Sequence, residues 1–187
     1  MEPEDRRRLL AVARRAIEQG VNQKPLESLE NLPLPERVWS NGACFVTLTI
    51  GGALRGCIGS LVALRPLVED VQEHALDAAV NDYRFPPVRP DEVPRLHIEL
   101  SVLSTPARLD YSAPDDLLRT LRPGVDGVIL ESGRRRATFL PQVWEKVPDP
   151  AEFLGMLCEK MGLPGDAWQH QRMTVSTYQV ESFEEEQ

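Results

Sequence analysis

A cysteine between two glycines, in a stretch that otherwise has the character of a β-strand, constrains this chain more than any other feature. Residues 54–59 read Leu-Arg-Gly-Cys-Ile-Gly. Because a strand loses side-chain packing at each glycine, Gly56 and Gly59 indicate close approach by a ligand or another backbone. Alternate side chains of a strand share a face, so Arg55 and Cys57 are predicted to point the same way, where the guanidinium favours the reactive thiolate. The alternative is a small buried cysteine at a β-bulge.

The pattern around this segment predicts an α+β fold. Gly51-Gly52 is a strong signal for a two-residue hairpin turn between strands at 44–50 and 53–60. Residues 96–103 alternate, which predicts a strand with one apolar and one polar face. The other predicted elements are helices at 3–20, 67–80, 114–121 and 150–162, a second hairpin at 127–140 and a closing strand at 173–183. Since hairpins dominate, mixed or antiparallel sheets with flanking helices are favoured over a doubly wound fold.

Length and charge limit the class of protein. The 187 residues suit one domain over 1–187, with two subdomains sharing a core and a solvated tail at 184–187. A net charge of −8 argues against a nucleic-acid partner, which normally needs a basic face. No apolar run approaches the roughly 18 residues of a membrane span, and no secretory signal opens the chain. The three cysteines lack C-x-x-C spacing, which fits a reducing compartment, so we expect a cytoplasmic protein.

Five sequence blocks resemble the AMMECR domain family. Residues 54–59 are similar to its LRGCIG signature, residues 82–87 to its D-x-R-F-P-P segment and residues 99–104 to its E-x-S-x-L-S strand. Two further blocks match at 137–143 and 153–163. Residues 123–127 resemble the microbial branch, where this domain is called AmmeMemoRadiSam system protein A. The animal branch tends to have histidine where this chain has Asp126, so no histidine role carries over to that position.

The resemblance implies an α+β fold with a larger and a smaller subdomain and a cleft, although a fold does not supply a reaction. The microbial name implies two encoded neighbours: a Memo-like protein, which resembles extradiol dioxygenases, and a radical S-adenosylmethionine (SAM) enzyme. A small-molecule transformation shared among the three is the resulting hypothesis. Iron–sulfur and radical chemistry would belong to the partner, because this chain lacks the three-cysteine cluster motif. We therefore predict no cofactor for this chain.

Cys57 is the predicted nucleophile, and such a thiolate needs a base or a cation beside it. Glu99 and Ser101 share the polar face of their strand and are predicted to supply an acid–base group and a hydrogen-bond donor. A solvated sheet face is the alternative for both. No pair of side chains has metal-ligand spacing, so no metal is predicted.

Arg84 is the predicted clamp for a substrate carboxylate or phosphate, because its planar fork suits bidentate binding. Arg55 and the N–H groups beside Gly56 and Gly59 are predicted to bind substrate with it. Alternatively, Arg84 ties down its proline-rich loop through Asp82. Two function classes follow: a Cys57-dependent enzyme or enzyme component, and a non-catalytic module that recognises a Memo-like partner through aromatic residues such as Trp39, Tyr83 and Phe85.

Overall fold

The structure is a computed structural model that describes residues 1–186. The chain divides into two compact units, one formed by Met1–Leu103 together with residues 181–186, the other by Ser104–Val180. The helices are α1 (Pro3–Val21), α2 (Leu67–Val80), α3 (Pro114–Thr120), α4 (Pro150–Lys160) and α5 (Ala167–His170). The strands are β1 (Asn41–Ile50), β2 (Ala53–Gly59), β3 (Arg65–Pro66), β4 (His97–Leu103), β5 (Ala107–Leu109), β6 (Gly127–Ser132), β7 (Arg135–Phe139), β8 (Thr174–Tyr178) and β9 (Val180–Glu184). Helices beside two antiparallel sheets confirm the predicted α+β fold.

The first unit is built on a five-stranded sheet in the order β2-β1-β4-β9, with β3 paired to β1. Gly51 and Gly52 have φ values of 58° and 80°, and this left-handed backbone makes the predicted tight turn between β1 and β2. Along β1, Cys44, Val46 and Leu48 are fully buried, whereas the residues between them are half-buried. One face of the sheet is therefore the core face and the other is more polar.

Two helices form the core of the first unit with this sheet. The predicted helix α2 is confirmed with the same bounds. Pro66 immediately precedes it, at a position where the helix does not use a backbone N–H, so the missing N–H of proline costs no hydrogen bond. The prediction for α1 is also confirmed, since its buried stripe includes Leu9 and Ile17 at 0% exposure. Full burial of such side chains stabilises a fold by about 1.5–3 kcal/mol each.

A β-bulge interrupts the pairing of β1 with β2. Leu48 pairs with Gly56 but the next residue, Thr49, pairs with Leu54, so Arg55 is the extra residue. Gly56 therefore lies opposite a core-facing residue, and Cys57 pairs with Thr47 on the polar face. The bulge decides which face of the sheet presents the cysteine.

The second unit has its own four-stranded sheet, in the order β5-β8-β6-β7, and its own hydrophobic cluster. Phe153 of α4 is fully buried and stacks on Trp144, with ring centroids 3.7 Å apart. The Trp144 indole N–H donates to the carbonyl of Asp126 at 2.6 Å, which satisfies a buried donor. The Asp126 carboxylate accepts from Arg122, so this aspartate is part of the turn before β6. No helix within residues 1–186 has the length and apolarity that crossing a membrane requires.

The predicted closing strand is two strands in different sheets. The break falls at Gln179, whose N–H donates to the Ser104 hydroxyl and whose carbonyl accepts the Ser104 N–H. The predicted tail also begins differently, because β9 includes Glu184 and the next carboxylate, Glu185, pairs with Arg14. Gln187 of that tail lies outside the described residues.

Candidate functional site

Asp82 and Arg84 hydrogen-bond both polar backbone groups of Cys57. They lie in the loop over residues 81–94, which we call the 81–94 loop. β2 is an edge strand of its sheet. Its Cys57 N–H donates to Asp82 Oδ2 at 2.8 Å, and its Cys57 carbonyl accepts from Arg84 Nη2 at 2.9 Å. The LRGCIG and D-x-R segments are thus parts of one structure.

Asp82 and Arg84 also hold each other. Arg84 Nε and Nη2 donate to the two carboxylate oxygens at 2.9 Å and 2.6 Å, which is the bidentate geometry that favours arginine. Asp82 is 4% exposed. The Arg84 guanidinium keeps the pKa of the Asp82 carboxyl well below its usual range, although burial alone would raise it. The carboxylate that accepts the Cys57 N–H is therefore ionised at neutral pH.

Arg55 fastens the same loop further along. Its Nε and Nη2 each lie 3.0 Å from a carboxylate oxygen of Glu92, and its Nη1 donates to the Pro86 carbonyl at 2.9 Å. Hydrogen bonds from Arg55 lower the pKa of Glu92 to about 2. The Arg55 guanidinium extends from the bulge. Its partners are thus Glu92 and the Pro86 carbonyl rather than the Cys57 thiol.

Cys57 is a partly exposed residue, whereas Cys44 and Cys158 are buried. The Thr47 hydroxyl donates to Cys57 Sγ at 3.4 Å across the strand pair. Burial raises the pKa of both other cysteines, which keeps them in the inert thiol form. Of the three cysteines, Cys57 is therefore the one suited to chemistry.

Strand register places Cys57, Thr47 and Glu99 in one row on the polar face of the sheet. Thr47 is the pairing partner of Cys57 on one side and of Glu99 on the other. Two strand spacings put the outer residues roughly 10 Å apart. Ser101 lies one step along the same face, where its Oγ is 3.4 Å from Glu99 Oε1 and 2.9 Å from Ser182 Oγ. A small molecule over Thr47 would therefore lie between a thiol and a carboxylate.

The two glycines of the 54–59 segment, Gly56 and Gly59, are packed against the protein itself. A Cβ on Gly56 would lie 2.1 Å from the Ala78 carbonyl oxygen of α2, and one on Gly59 would lie 2.4 Å from the Cys44 carbonyl oxygen. The close approach that the sequence predicted is thus made by backbone. Roles for Gly56, Gly59, Arg55 and Arg84 in substrate binding stay predictions, as do the catalytic roles of Cys57, Glu99 and Ser101.

Each of the three histidines has a carboxylate neighbour. The Nε2 atoms of His74, His97 and His170 lie 3.2 Å, 2.9 Å and 3.4 Å from oxygens of Asp70, Glu184 and Asp166. Within residues 1–186 no three His, Cys, Asp or Glu side chains converge in a manner that would hold a metal ion. The thiol's hydroxyl partner, Thr47, and the Arg55 partner, Glu92, were missed from the sequence. Counting back from the Gly51-Gly52 turn would have paired Thr47 with Gly56, because the bulge is invisible to that count.

Comparison with known proteins places this arrangement in a family. The AMMECR1 family model matches residues 10–183. A protein of Methanothermobacter thermautotrophicus is 40% identical over 185 residues, which cover 96% of this chain and 94% of that protein. Protein TK0174 of Thermococcus kodakarensis is 40% identical over 95% of this chain and 89% of its own length. The crystal structure of the uncharacterized protein PH0010 from Pyrococcus horikoshii superposes with a TM-score of 0.80 at 37% identity, covering 100% of this chain and 94% of that one. The chain belongs to the AMMECR1 family.

Proposed function

We propose that this protein is a component of an enzyme that acts on a small molecule, with Cys57 as its nucleophile. The observation that carries the proposal is the contrast between the backbone and the side chain of this residue. Both polar backbone groups of Cys57 are fixed by Asp82 and Arg84, while the residue stays partly exposed and its thiol accepts the Thr47 hydroxyl. A nucleophile held rigidly by its surroundings loses little entropy when it reacts.

The other residues on this face have separate roles in the proposal. Thr47 stabilises negative charge on the sulfur by hydrogen bonding. Glu99 transfers a proton to or from a substrate that lies over Thr47, because the thiol itself is too distant for direct transfer. Ser101 orients the Glu99 carboxylate. Arg84 keeps 42% of its side chain exposed, which lets it attract an anionic group of the substrate.

We further propose that a Memo-like protein and a radical SAM enzyme work with this chain in the cytoplasm. The support is chemical: among residues 1–186 the polar contact to the thiol comes from Thr47 rather than from a histidine base, and Arg55 is held by Glu92. A composite site would supply the missing base or redox group from a partner. The resemblance to the microbial branch is what suggests these two partners.

Iodoacetamide labelling of the folded protein, with mass spectrometry to assign each site, tests the role of Cys57. We expect labelling of Cys57 at pH 7 at least tenfold faster than labelling of Cys44 or Cys158, and faster than labelling of the same residue in urea. A Cys57 thiol that reacts only after unfolding would contradict the proposal and would indicate that residues 54–59 have a purely structural role. Cys57→Ser, introduced in the source organism, should then abolish function while leaving folding and partner binding intact.

The second candidate, a protein-binding module that recognises a Memo-like partner, is favoured by Tyr83. This side chain is 94% exposed, although both of its neighbours are fixed by ion pairing. A rigidly presented tyrosine is typical of residues that anchor an interface. Tyr83→Ala should weaken binding to a purified Memo-like protein in this case, whereas Cys57→Ser should not. Loss of function with Cys57→Ser alone would instead support the enzyme proposal.

A further inference from the structure

The loop between β2 and β3 presents apolar side chains to solvent. Residues 61–64 read Leu-Val-Ala-Leu, and Val62 and Leu64 are 42% and 78% exposed. Single exposed apolar residues are ordinary, but a continuous run of them indicates a contact surface. We call this segment the 61–64 loop.

Both ends of the 61–64 loop are anchored. On one side, the Ser60 hydroxyl donates to both oxygens of the buried Asp70 carboxylate, at 3.1 Å and 3.2 Å. On the other side, Arg65 pairs with Glu73 of α2 and lies in β3, which is paired with β1. The apolar side chains are thus displayed from a fixed base, which limits the entropy that binding would cost.

A shallow groove of about 510 Å³ begins where the loop ends, since Arg65 is part of its lining. Trp39, Leu26 and Leu76 supply apolar surface to it. Its acidic residues are Glu27, Glu30, Glu69 and Glu73. Of these, Glu27 pairs with Arg15 and Glu73 with Arg65, while Glu30 and Glu69 are exposed. We call this the acidic groove.

We propose that the 61–64 loop and the acidic groove form one docking surface for a basic, amphipathic segment of a partner protein. Apolar side chains of that segment would cover Leu64 and Val62, and its lysine or arginine side chains would meet Glu30 and Glu69. Charge complementarity selects this occupant. The surrounding unit carries 19 Asp and Glu residues against 12 Lys and Arg, so an anionic membrane surface would be repelled. This surface does not depend on the proposed role of Cys57.

Fluorescence anisotropy tests the surface with a labelled amphipathic peptide. In this peptide pairs of leucine residues alternate with pairs of lysine residues, twelve pairs in all. We expect binding in low salt that Leu64→Ser and the pair Glu30→Gln with Glu69→Gln each weaken at least tenfold. Leu54→Ser is the apolar control, because Leu54 is 46% exposed at the far end of β2. Glu18→Gln with Glu145→Gln is the charge control, because both residues are exposed and the net charge changes equally.

Retained binding in both controls, and in Cys57→Ala, would support the docking surface and separate it from the proposed catalytic site. Absence of peptide binding, or an equal loss in the controls, would overturn the proposal, because the attraction would then be general. Binding of the protein to phosphatidylserine vesicles that Leu64→Ser abolishes would also overturn it, in favour of a membrane contact.

Discussion

The carboxylate of Asp82 accepts the backbone N–H of Cys57 at 2.8 Å, and this contact joins a loop to the outer edge of the five-stranded sheet. Two residues later, Arg84 returns a donor to the carbonyl of the same cysteine. A side-chain pair thus provides the acceptor and the donor that a neighbouring strand would otherwise provide. Because unpaired strand edges attract other chains, the pair also closes this edge.

Replacing Asp82 with asparagine should destabilise the protein by about 2–3 kcal/mol. Asparagine still accepts from Cys57 N–H, but it removes the charge-assisted hydrogen bonds that the buried Asp82 carboxylate receives from Arg84, and a hydrogen bond to a charged group contributes about 1.5–3 kcal/mol. Urea denaturation at pH 7 measures the free energy of unfolding. Asp91→Asn is the matched control, because its pair with Arg89 is exposed and screened by solvent, so its loss should leave the free energy of unfolding almost unchanged. An equal decrease in the free energy of unfolding for the two variants would show that the Asp82–Arg84 pair contributes no more stability than an exposed ion pair.

Acid should weaken the attachment of the 81–94 loop. The folded pKa of Glu92 lies near 2, below its ordinary value of 4.5, so its ion pair contributes full stability above pH 4.5 and loses it as pH falls toward 2. Asp82 shifts in the same direction, starting from 3.8. The free energy of unfolding should differ between wild type and Glu92→Gln by roughly 2–3 kcal/mol at pH 7. That difference should shrink between pH 4.5 and pH 2, and a pH-independent difference would contradict the ion-pair account.

Local signals in the sequence were sufficient for most elements. The Gly51-Gly52 turn, the bounds of α2 and the alternating burial of β4 over residues 97–100 all follow from patterns within a few residues, and the structure has each of them, although Ser101 is buried. The bulge at Arg55 has no such pattern, since it depends on how the 81–94 loop holds the edge of β2. The break at Gln179 is also invisible locally, because Ser104, its partner, is 75 residues away.

The candidate site divides in the same way. The polar face that carries Glu99 and Ser101 follows from alternation, and the spacing of Asp82 and Arg84, two residues apart in one motif, predicts Asp82 as the alternative partner of Arg84. The ion pair of Arg55 with Glu92 joins residues 37 positions apart, so no periodicity predicts it. Ordinary strand alternation therefore predicts that Arg55 lies beside the Cys57 thiol, whereas its guanidinium contacts Glu92 in the 81–94 loop.

Gly56→Ala should destabilise the protein by about 3 kcal/mol, the upper end of the usual range for overpacking, because the added Cβ would lie 2.1 Å from the Ala78 carbonyl oxygen. Strand and helix would have to separate, and the core face of β2 would be lost. Thermal unfolding followed by circular dichroism measures the effect. Gly165→Ala is the control, since its new Cβ would meet the flexible Glu159 side chain at 3.2 Å and should cost about 1 kcal/mol or less. Similar melting temperatures for both variants would contradict the close packing of β2 on α2.

Thr47→Val should slow alkylation of Cys57 by iodoacetamide at pH 7. Valine keeps the shape of threonine but removes the hydroxyl that donates to Cys57 Sγ, and a hydrogen bond worth about 0.5–1.5 kcal/mol corresponds to a two- to tenfold change in rate. Thr49→Val is the matched control, because Thr49 lies on the same face of β1 and pairs with Leu54 rather than with the cysteine. Melting temperatures within a few degrees of wild type would exclude unfolding as the cause. Equal alkylation rates in wild type and both variants would show that the Thr47 hydroxyl does not activate the thiol, and Glu99 would then be the next group to replace.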